Sequence, residues 1–366
     1  MTRREKEVLD LIKTNPMISQ NELAASLGIS RSSVAVHISS LTKKGLLRGR
    51  AYILGHEPGV IVIGGCNLDM EGRSLGRLKL GDSNPGIFTT TPGGVARNIA
   101  ENLAEMDLSV KLITALGRDD GGQMLKSTGE EAGIDMDHVL YSETPSSVYL
   151  SVHDEQGEMV VAINQMEIIK ELKRGFLQKK DELIKQANLL VMDANLEEET
   201  IDHLCRTYQD KMIFVDLVSA AKAKKIKRSL PYIYAMKPNV IEMEALVGRE
   251  LINLEDYKSA LKELLELGVK EIYLTLGAEG VLVATNSRLI KVSAQVDNIK
   301  SVTGAGDAFL SGAIYSSLKG WKLERLASFS QAAALLTLEN EKASGLLKED
   351  RIEKRRKDVE LEILSW

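Results

Sequence analysis

Cysteine is nearly missing from this chain: Cys66 and Cys205 are the only two in 366 residues. That excludes a disulfide framework and a cysteine-based zinc site. Histidine is scarce too, at 37, 56, 138, 153 and 203, and no two have the H-E-x-x-H spacing of a zinc hydrolase. No apolar run reaches 18 residues and the N-terminus is charged, so neither a membrane helix nor a signal sequence is expected, and the chain reads as cytoplasmic. The G-x-x-x-x-G-K-[ST] pattern is absent, which excludes a Walker-type phosphate loop. Gly64-Gly65-Cys66-Asn67-Leu68-Asp69 does not continue as the G-x-G-x-x-G dinucleotide fingerprint. Any phosphate chemistry here must use other parts.

What is present points to two modules. The length fits one large α/β domain plus an appendage, and 44% hydrophobic residues support a substantial core. Residues 1–55 carry nine Lys and Arg against four Asp and Glu, a net +5, which leaves −10 for residues 56–366 out of the whole-chain −5. Opposite signs suggest different partners.

In the first module, residues 1–55, Arg4 to Thr14 reads as a helix with Val8, Leu11 and Ile12 on one face. Ser19 and Glu22 have the spacing of a capping box for a second helix that ends at Gly28. Ser30 can cap a third helix with Val34, Ile38 and Leu41 inward and Arg31, Ser32, Ser33 and His37 outward. Leu46 to Leu54 reads as a hairpin with an Arg-Gly-Arg tip. This pattern resembles a bacterial winged helix-turn-helix domain. The resemblance implies that the third helix enters a DNA major groove while Lys43, Lys44, Arg48 and Arg50 meet phosphates. A winged domain that only mediates dimerisation has the same pattern. One copy of so small a basic module would bind weakly, so a dimer is expected for specific DNA recognition.

Residues 56–59, with Gly55 before them, form a breaker-rich linker. From Val60 to Trp366, apolar runs alternate with amphipathic helices. Strands are expected at Val60–Gly64, Val110–Ala115, Leu189–Asp193, Met212–Asp216, Ile233–Met236 and Glu271–Thr275, with helices near 95–106, 120–132, 180–187, 197–209, 239–247 and 255–267. Such alternation predicts a mostly parallel central sheet flanked by helices. A hairpin at Ser146–His153 and Glu158–Asn164 breaks the rhythm and reads as a small β lid. Residues 347–366 show no clear role.

The stretch Ser301-Val302-Thr303-Gly304-Ala305-Gly306-Asp307 runs straight into a helix-like segment, Asp307 to Leu318. Free N–H groups at a helix start, together with the helix dipole, stabilise anionic oxygens. Gly304 and Gly306 let backbone approach a ligand closely. Asp307 is then placed either to take the proton of an attacking hydroxyl or simply to cap the helix.

Five segments extend this picture: Gly64-Gly65-Cys66-Asn67-Leu68-Asp69, Thr91-Pro92-Gly93-Gly94-Val95-Ala96-Arg97-Asn98, Lys237-Pro238-Asn239-Val240-Ile241-Glu242, Thr275-Leu276-Gly277-Ala278-Glu279-Gly280 and Thr303-Gly304-Ala305-Gly306-Asp307. In this order and spacing, residues 60–340 resemble the ribokinase-like (PfkB) family of sugar and nucleoside kinases. Within it, Asp82-Ser83-Asn84-Pro85-Gly86, the run at 93–100, Gly157-Glu158-Met159 and Phe214-Val215-Asp216 with Val218-Ser219-Ala220 are similar to pseudouridine kinases.

The resemblance implies ATP and Mg²⁺ as cofactors. It implies that Asp307 is the base at the end of the catalytic turn Gly304-Ala305-Gly306, with the amides of Ala305, Gly306 and Asp307 around the transferring phosphoryl group. Asn67, Asp69, Gly93, Gly94 and Asn98 would hold the sugar, with Tyr149 and Asn195 as further substrate contacts. Ser147, Ser151 and Asn164 share the lid with Tyr149 and fit base contacts or plain strand packing. Asn239, Thr275, Gly277 and Gly280 would meet ATP, and Glu242 would organise Mg²⁺ through water; Asn239 and Glu242 also fit a helix-capping pair. Arg97 stands between a substrate contact and a surface ion pair. Many relatives carry Asp where Ser301 stands, which makes K⁺ activation doubtful. The expected activity is 5′-phosphorylation of a nucleoside, pseudouridine foremost, by a homodimer. A kinase for inosine, guanosine or a free sugar, and a regulator whose kinase fold only senses a ligand, remain open.

Overall fold

A computed structural model of the chain describes residues 1–48, 53–54, 59–296, 299–340 and 347–366. Two compact units divide it, Met1–Pro58 and Gly59–Trp366. No helix among the described residues is long and apolar enough to cross a membrane.

The first unit has helices Arg3–Thr14, Gln20–Leu27 and Arg31–Lys43, then two-residue strands Leu47–Arg48 and Ile53–Leu54 paired antiparallel. The expected capping box forms: Ser19 Oγ accepts from Glu22 N and Glu22 Oε2 accepts from Ser19 N. A second one, Thr2 with Glu5, starts the first helix. Gly28 ends the second helix at φ +62°. Val8, Leu9, Ile12, Leu23, Val34, Leu41 and Leu47 form the core, with Leu11 and Ile38 at its margin. The hairpin tip at 49–52, with Arg50, and the linker at 55–58 lie outside the described residues.

The second unit is built on a nine-stranded sheet. Its order is Glu360–Leu364, Leu289–Ser293, Val281–Ala284, Glu271–Thr275, Ala235–Lys237, Met212–Asp216, Leu189–Asp193, Val60–Ile63 and Val110–Ile113. The run from Glu271–Thr275 to Val110–Ile113 is parallel and the remaining pairings are antiparallel. Fully buried strands such as Val-Ile-Val-Ile at 60–63 and Leu-Leu-Val-Met-Asp at 189–193 require cover on both faces. Two hydrophobic clusters supply it. One includes helices Val95–Glu105, Ala305–Leu318 and Leu323–Leu338; the other includes Glu198–Thr207 and Leu254–Glu266. The chain moves outward from Val60–Ile63 to the edge strand Val110–Ile113, then returns to the other side at Leu189–Asp193. The carboxyl ends flanking that reversal are where open α/β sheets bind ligands.

A separate four-stranded sheet has the order Met159–Gln165, Ser147–His153, Asn67–Ser74, Gly86–Gly93. The expected hairpin is thus half of the lid. The other half has no regular apolar pattern: Asn67–Ser74 mixes charged residues with glycine, and Gly86–Gly93 is threonine-rich with glycine at both ends. Other expectations shift. The strand placed at Ile233–Met236 occupies Ala235–Lys237, and the helix expected from Asp307 begins at Ala305. The unassigned C-terminal stretch contains helix Glu349–Arg355 and an edge strand, Glu360–Leu364, that pairs with Leu289–Ser293.

Candidate active site

Three parallel strands end in charge: Asp193, Asp216 and Lys237 are each the last residue of their strand. All three side chains are buried at the carboxyl edge. The Asp193 carboxylate accepts from Gly65 N at 2.9 Å, Ala96 N at 3.1 Å, Asn195 N at 3.0 Å and Asn195 Nδ2 at 2.9 Å. It thereby fastens the N-terminus of helix Val95–Glu105 to the strand ends. Burial pushes its carboxyl up, against these donors. Gly64 and Gly94, both at positive φ, leave the space this needs: a Cβ on Gly64 would lie 2.5 Å from the Asp193 carboxyl carbon, and one on Gly94 would lie 2.6 Å from the Gly65 carbonyl oxygen.

Asp307 lies in the first turn of helix Ala305–Leu318, whose N-cap is Gly304 at φ +83°. Asn98 Nδ2 donates to Asp307 Oδ2 at 2.9 Å, across 209 residues of sequence. Burial first, then the neighbouring Asp216 carboxylate, push the Asp307 carboxyl up to about 7, while Lys237 and Asn98 oppose the rise. Lys237 Nζ is 3.1 Å from Asp216 Oδ2. A Cβ added to Gly306 would lie 2.8 Å from that same Nζ, so the ammonium rests against the start of the helix. Burial would depress Lys237, but Asp216, Asp307 and Glu242 outweigh it and hold the ammonium charged.

Glu242 and Asn239 form the capping box of helix Val240–Val247: Glu242 N donates to Asn239 Oδ1 at 2.8 Å and Asn239 N to Glu242 Oε2 at 2.9 Å. Glu242 is buried, which pushes its carboxyl up while Lys237 pulls it down. The capping bond uses one of its oxygens. Among the described residues no group of three His, Cys, Asp or Glu forms a metal cage. The other Glu242 oxygen makes no capping bond, and a single carboxylate of this kind is chemically adequate for a hydrated Mg²⁺. Asn239 also bridges to Thr275, whose N–H donates to the Pro238 carbonyl oxygen at 2.9 Å. The two expected ATP-facing segments thus meet. Gly277 turns at φ +61° with open space around it, whereas a Cβ on Gly280 would strike the Val292 carbonyl oxygen. Gly280 is required by strand packing.

On the lid sheet, Asn67 Nδ2 donates to Asp69 Oδ1 at 2.6 Å, and burial pushes the Asp69 carboxyl up. Gly93 is needed beneath it, since a Cβ there would collide with the carboxylate. Register pairs Asp69 with Tyr149 and Thr91, Asn67 with Ser147 and Gly93, and Asn164 with Tyr149. Paired residues share a face of a sheet, so Asn67, Asp69, Ser147, Tyr149 and Asn164 form one polar row. Asn195 is engaged within the protein: its Nδ2 donates to Asp193 and its Oδ1 accepts from Lys222 Nζ at 2.6 Å. Arg97 is not on the surface. It is 2% exposed and pairs with Glu101 at 2.7 Å.

In the first unit Arg31, Ser32 and Lys43 are exposed, and Ser33 and His37 partly so. Ser33 is tied to its own helix cap, its N–H donating to Ser30 Oγ at 3.1 Å. Arg48 lies in a strand. Lys44 is committed to Glu5 at 2.7 Å and is poorly placed for a phosphate.

Asp193, Asp216, Lys237 and Lys222 were missed as site residues. For the first three the available signal was a charged residue closing an otherwise apolar strand; Lys222, in the short helix Ala220–Ala223, carried none. That signal identifies candidates, but strand order is needed to bring them together.

Comparison with known proteins agrees with this geometry. The winged helix-turn-helix DNA-binding family matches residues 1–48, and the pfkB carbohydrate kinase family matches residues 58–350. The chain is 34% identical over 349 residues to the uncharacterized sugar kinase YeiI of Escherichia coli (strain K12), covering 95% of each. It is 36% identical over 282 residues to the pseudouridine kinase of the same organism, covering 76% of this chain and 90% of that one. Among solved structures, a carbohydrate kinase from Agrobacterium tumefaciens superposes with a TM-score of 0.75 at 27% identity, covering 83% of this chain and 99% of that one. The chain belongs to the pfkB family of carbohydrate kinases, phosphotransferases that act on an alcohol group.

Proposed function

We propose that this kinase transfers the terminal phosphoryl group of ATP to the 5′-hydroxyl of a nucleoside, with pseudouridine as the preferred acceptor. The observation that carries the reading is the buried Asp307 carboxylate, bonded to Asn98 in the first turn of a helix whose opening residues lie against the Lys237 ammonium. A carboxylate raised to about 7 is a far better base than an ordinary one and is still about half ionised at neutral pH. Asp307 takes the hydroxyl proton as the oxygen attacks. The amides of Ala305 and Gly306, after Gly304, face the charge that gathers on the phosphoryl group, and Lys237 adds a fixed positive charge beside them. Asp69, oriented by Asn67, and Asn98 hold the sugar hydroxyls, since a carboxylate and an amide supply complementary acceptor and donor groups. Mg²⁺, when bound with ATP, neutralises phosphate charge; Glu242 would hold it through water, with Asn239, Thr275 and Gly277 beside the nucleotide.

The similarity to a pseudouridine kinase over 282 residues supports the choice of acceptor, as does the polar row on the lid. The exposed lid residues Phe88, Val161 and Ile163 fit pairing of two copies. The match of residues 1–48 to a DNA-binding family supports a second role, binding of duplex DNA through Arg31, Ser32, Ser33, His37 and Lys43, with Arg48 and Arg50 as expected phosphate contacts.

The test is ATP consumption by the purified protein with pseudouridine, uridine, inosine, guanosine and ribose. Turnover on pseudouridine is expected to exceed that on the others by at least about tenfold, and D307N is expected to lower kcat by about 10³-fold or more with little change in acceptor binding. Preference for another nucleoside would move the specificity and keep the mechanism. Full activity in D307N would remove Asp307 as the base.

A further inference from the structure

The chain reverses sharply just after Asp216. Ser219 N donates to the Leu217 carbonyl oxygen at 2.6 Å, and the residue between them, Val218, sits at φ +64°. This is a γ-turn of the positive-φ kind, a strained form, and a β-branched residue is poorly suited to it. Among the described residues the other non-glycine with positive φ is Asp107, a type that tolerates that region far better. What holds Val218 there is its own N–H, which donates to Asp216 Oδ1 at 2.8 Å. The second oxygen of Asp216, Oδ2, is the one 3.1 Å from Lys237 Nζ. Asp216 is 3% exposed, so water does not compete for either oxygen.

We propose that Asp216 is a positioning residue for phosphoryl transfer, and that the strained turn at Val218 is the brace that fixes it. The left-handed backbone aims an N–H at one carboxylate oxygen. That leaves the other oxygen, which accepts no hydrogen bond from the described residues, facing Lys237 as its ion-pair partner, with Lys237 against Gly306. With a relaxed turn Asp216 could rotate away, and Lys237 would be free to pair with Asp307 and blunt the base. Backbone strain persists where the surroundings over-determine it, and it gathers at functional sites. The inference rests on the reading of Lys237 and the 304–306 turn given above, and is independent of which acceptor is used.

A double-mutant cycle tests it. Glycine accepts positive φ at no steric cost and asparagine tolerates it, so V218G and V218N are both expected to melt about 2 °C or more above wild type. V218G is expected to lower kcat about fivefold with acceptor KM within about twofold, because the unbraced turn samples other shapes. D216N is expected to lower kcat by about 30-fold, and adding V218G to it should change kcat by less than about twofold. Should D216N fail to fold, K237M takes its place in the cycle. Wild-type kcat in V218G, losses that multiply in the double variant, or lower melting of both Val218 variants would each overturn the proposal. If no acceptor supports turnover, the proposed function fails; the same cycle is then read from ATP affinity by calorimetry, where non-additive weakening supports the brace and additive or absent weakening overturns it.

Discussion

Gly306 shows how little room the site leaves at the residue scale. A methyl group there would stand 2.8 Å from Lys237 Nζ, so an added side chain must displace the ammonium or the helix start. G306A is expected to lower kcat by about 10²-fold while shifting the melting temperature by no more than about 2 °C; unchanged turnover would move the anion site away from this turn. Asp307 adds a pH signature. Its carboxyl is raised to about 7 from an ordinary value of 3.8, so the basic form is populated above 7, and kcat should rise with pH through about 7 and then level off. The stability consequence has the opposite sense. Between 3.8 and about 7 the folded state holds a proton that the unfolded state has lost, so this group's contribution is fully present below 3.8 and is lost as pH rises through 7. D307N, which mimics the neutral form, should therefore melt above the parent protein at pH 8, by a margin that shrinks towards pH 5. Differential scanning calorimetry at the two pH values checks this. Asp307 and Asn98 could both be named from the sequence. Their direct hydrogen bond could not, because 209 residues separate them.

At the scale of elements, capping and burial decided which segments could be read in advance. The helix from Gln20 announced itself through Ser19 and Glu22, and both capping bonds form. The first helix carries a less visible device. Glu5 caps its own N-terminus yet also accepts from Lys44 Nζ at 2.7 Å and Ser40 Oγ at 2.6 Å, which ties the first helix to the end of the third. Lys44 foremost, then Ser40 and the Thr2 N–H, pull the Glu5 carboxyl down to about 2 from 4.5. A depressed carboxylate contributes stability above its unfolded value of about 4.5 and loses it as pH falls towards about 2. Wild-type melting of the first unit should accordingly fall across that window, while E5Q starts lower at pH 7 and changes less. Circular dichroism melts at pH 7, 4 and 3 would show it, and equal slopes for the two proteins would remove Glu5 from the account. The lid strands Asn67–Ser74 and Gly86–Gly93 were the opposite case. Asn67–Ser74 mixes charged residues with glycine, and Gly86–Gly93 is mostly exposed and threonine-rich between two glycines, so both lack the apolar run that revealed the strands of the main sheet. Their strand character comes from pairing with each other and with Ser147–His153.

For the whole molecule, the charge division between residues 1–55 and 56–366 leads to a distinct expectation. Binding to random-sequence duplex DNA, followed by fluorescence anisotropy, should weaken steeply with salt, and the combined R31A and K43A variant should reduce the slope of log K against log salt by about 1 to 2. Binding that ignores salt and both substitutions would leave the first unit as a pairing module. Both families were legible in the sequence because their marks are local. Capping boxes, glycine turns and apolar periodicity act over a few residues, and an ordered series of such turns identifies a fold. The glycine turn at 304–306, the Asn239–Glu242 pair and the strand–helix alternation belong to this class. Only the tertiary structure decided which strand ends lie side by side, and so that Asp216, Lys237, Asp307 and Asn98 share one site. It alone showed that Asn195 and Lys44 are bound internally and that Arg97 is buried. The physical reason is that burial and charge coupling depend on through-space neighbours, and strand order, which sets those neighbours, is not carried by any single strand's pattern.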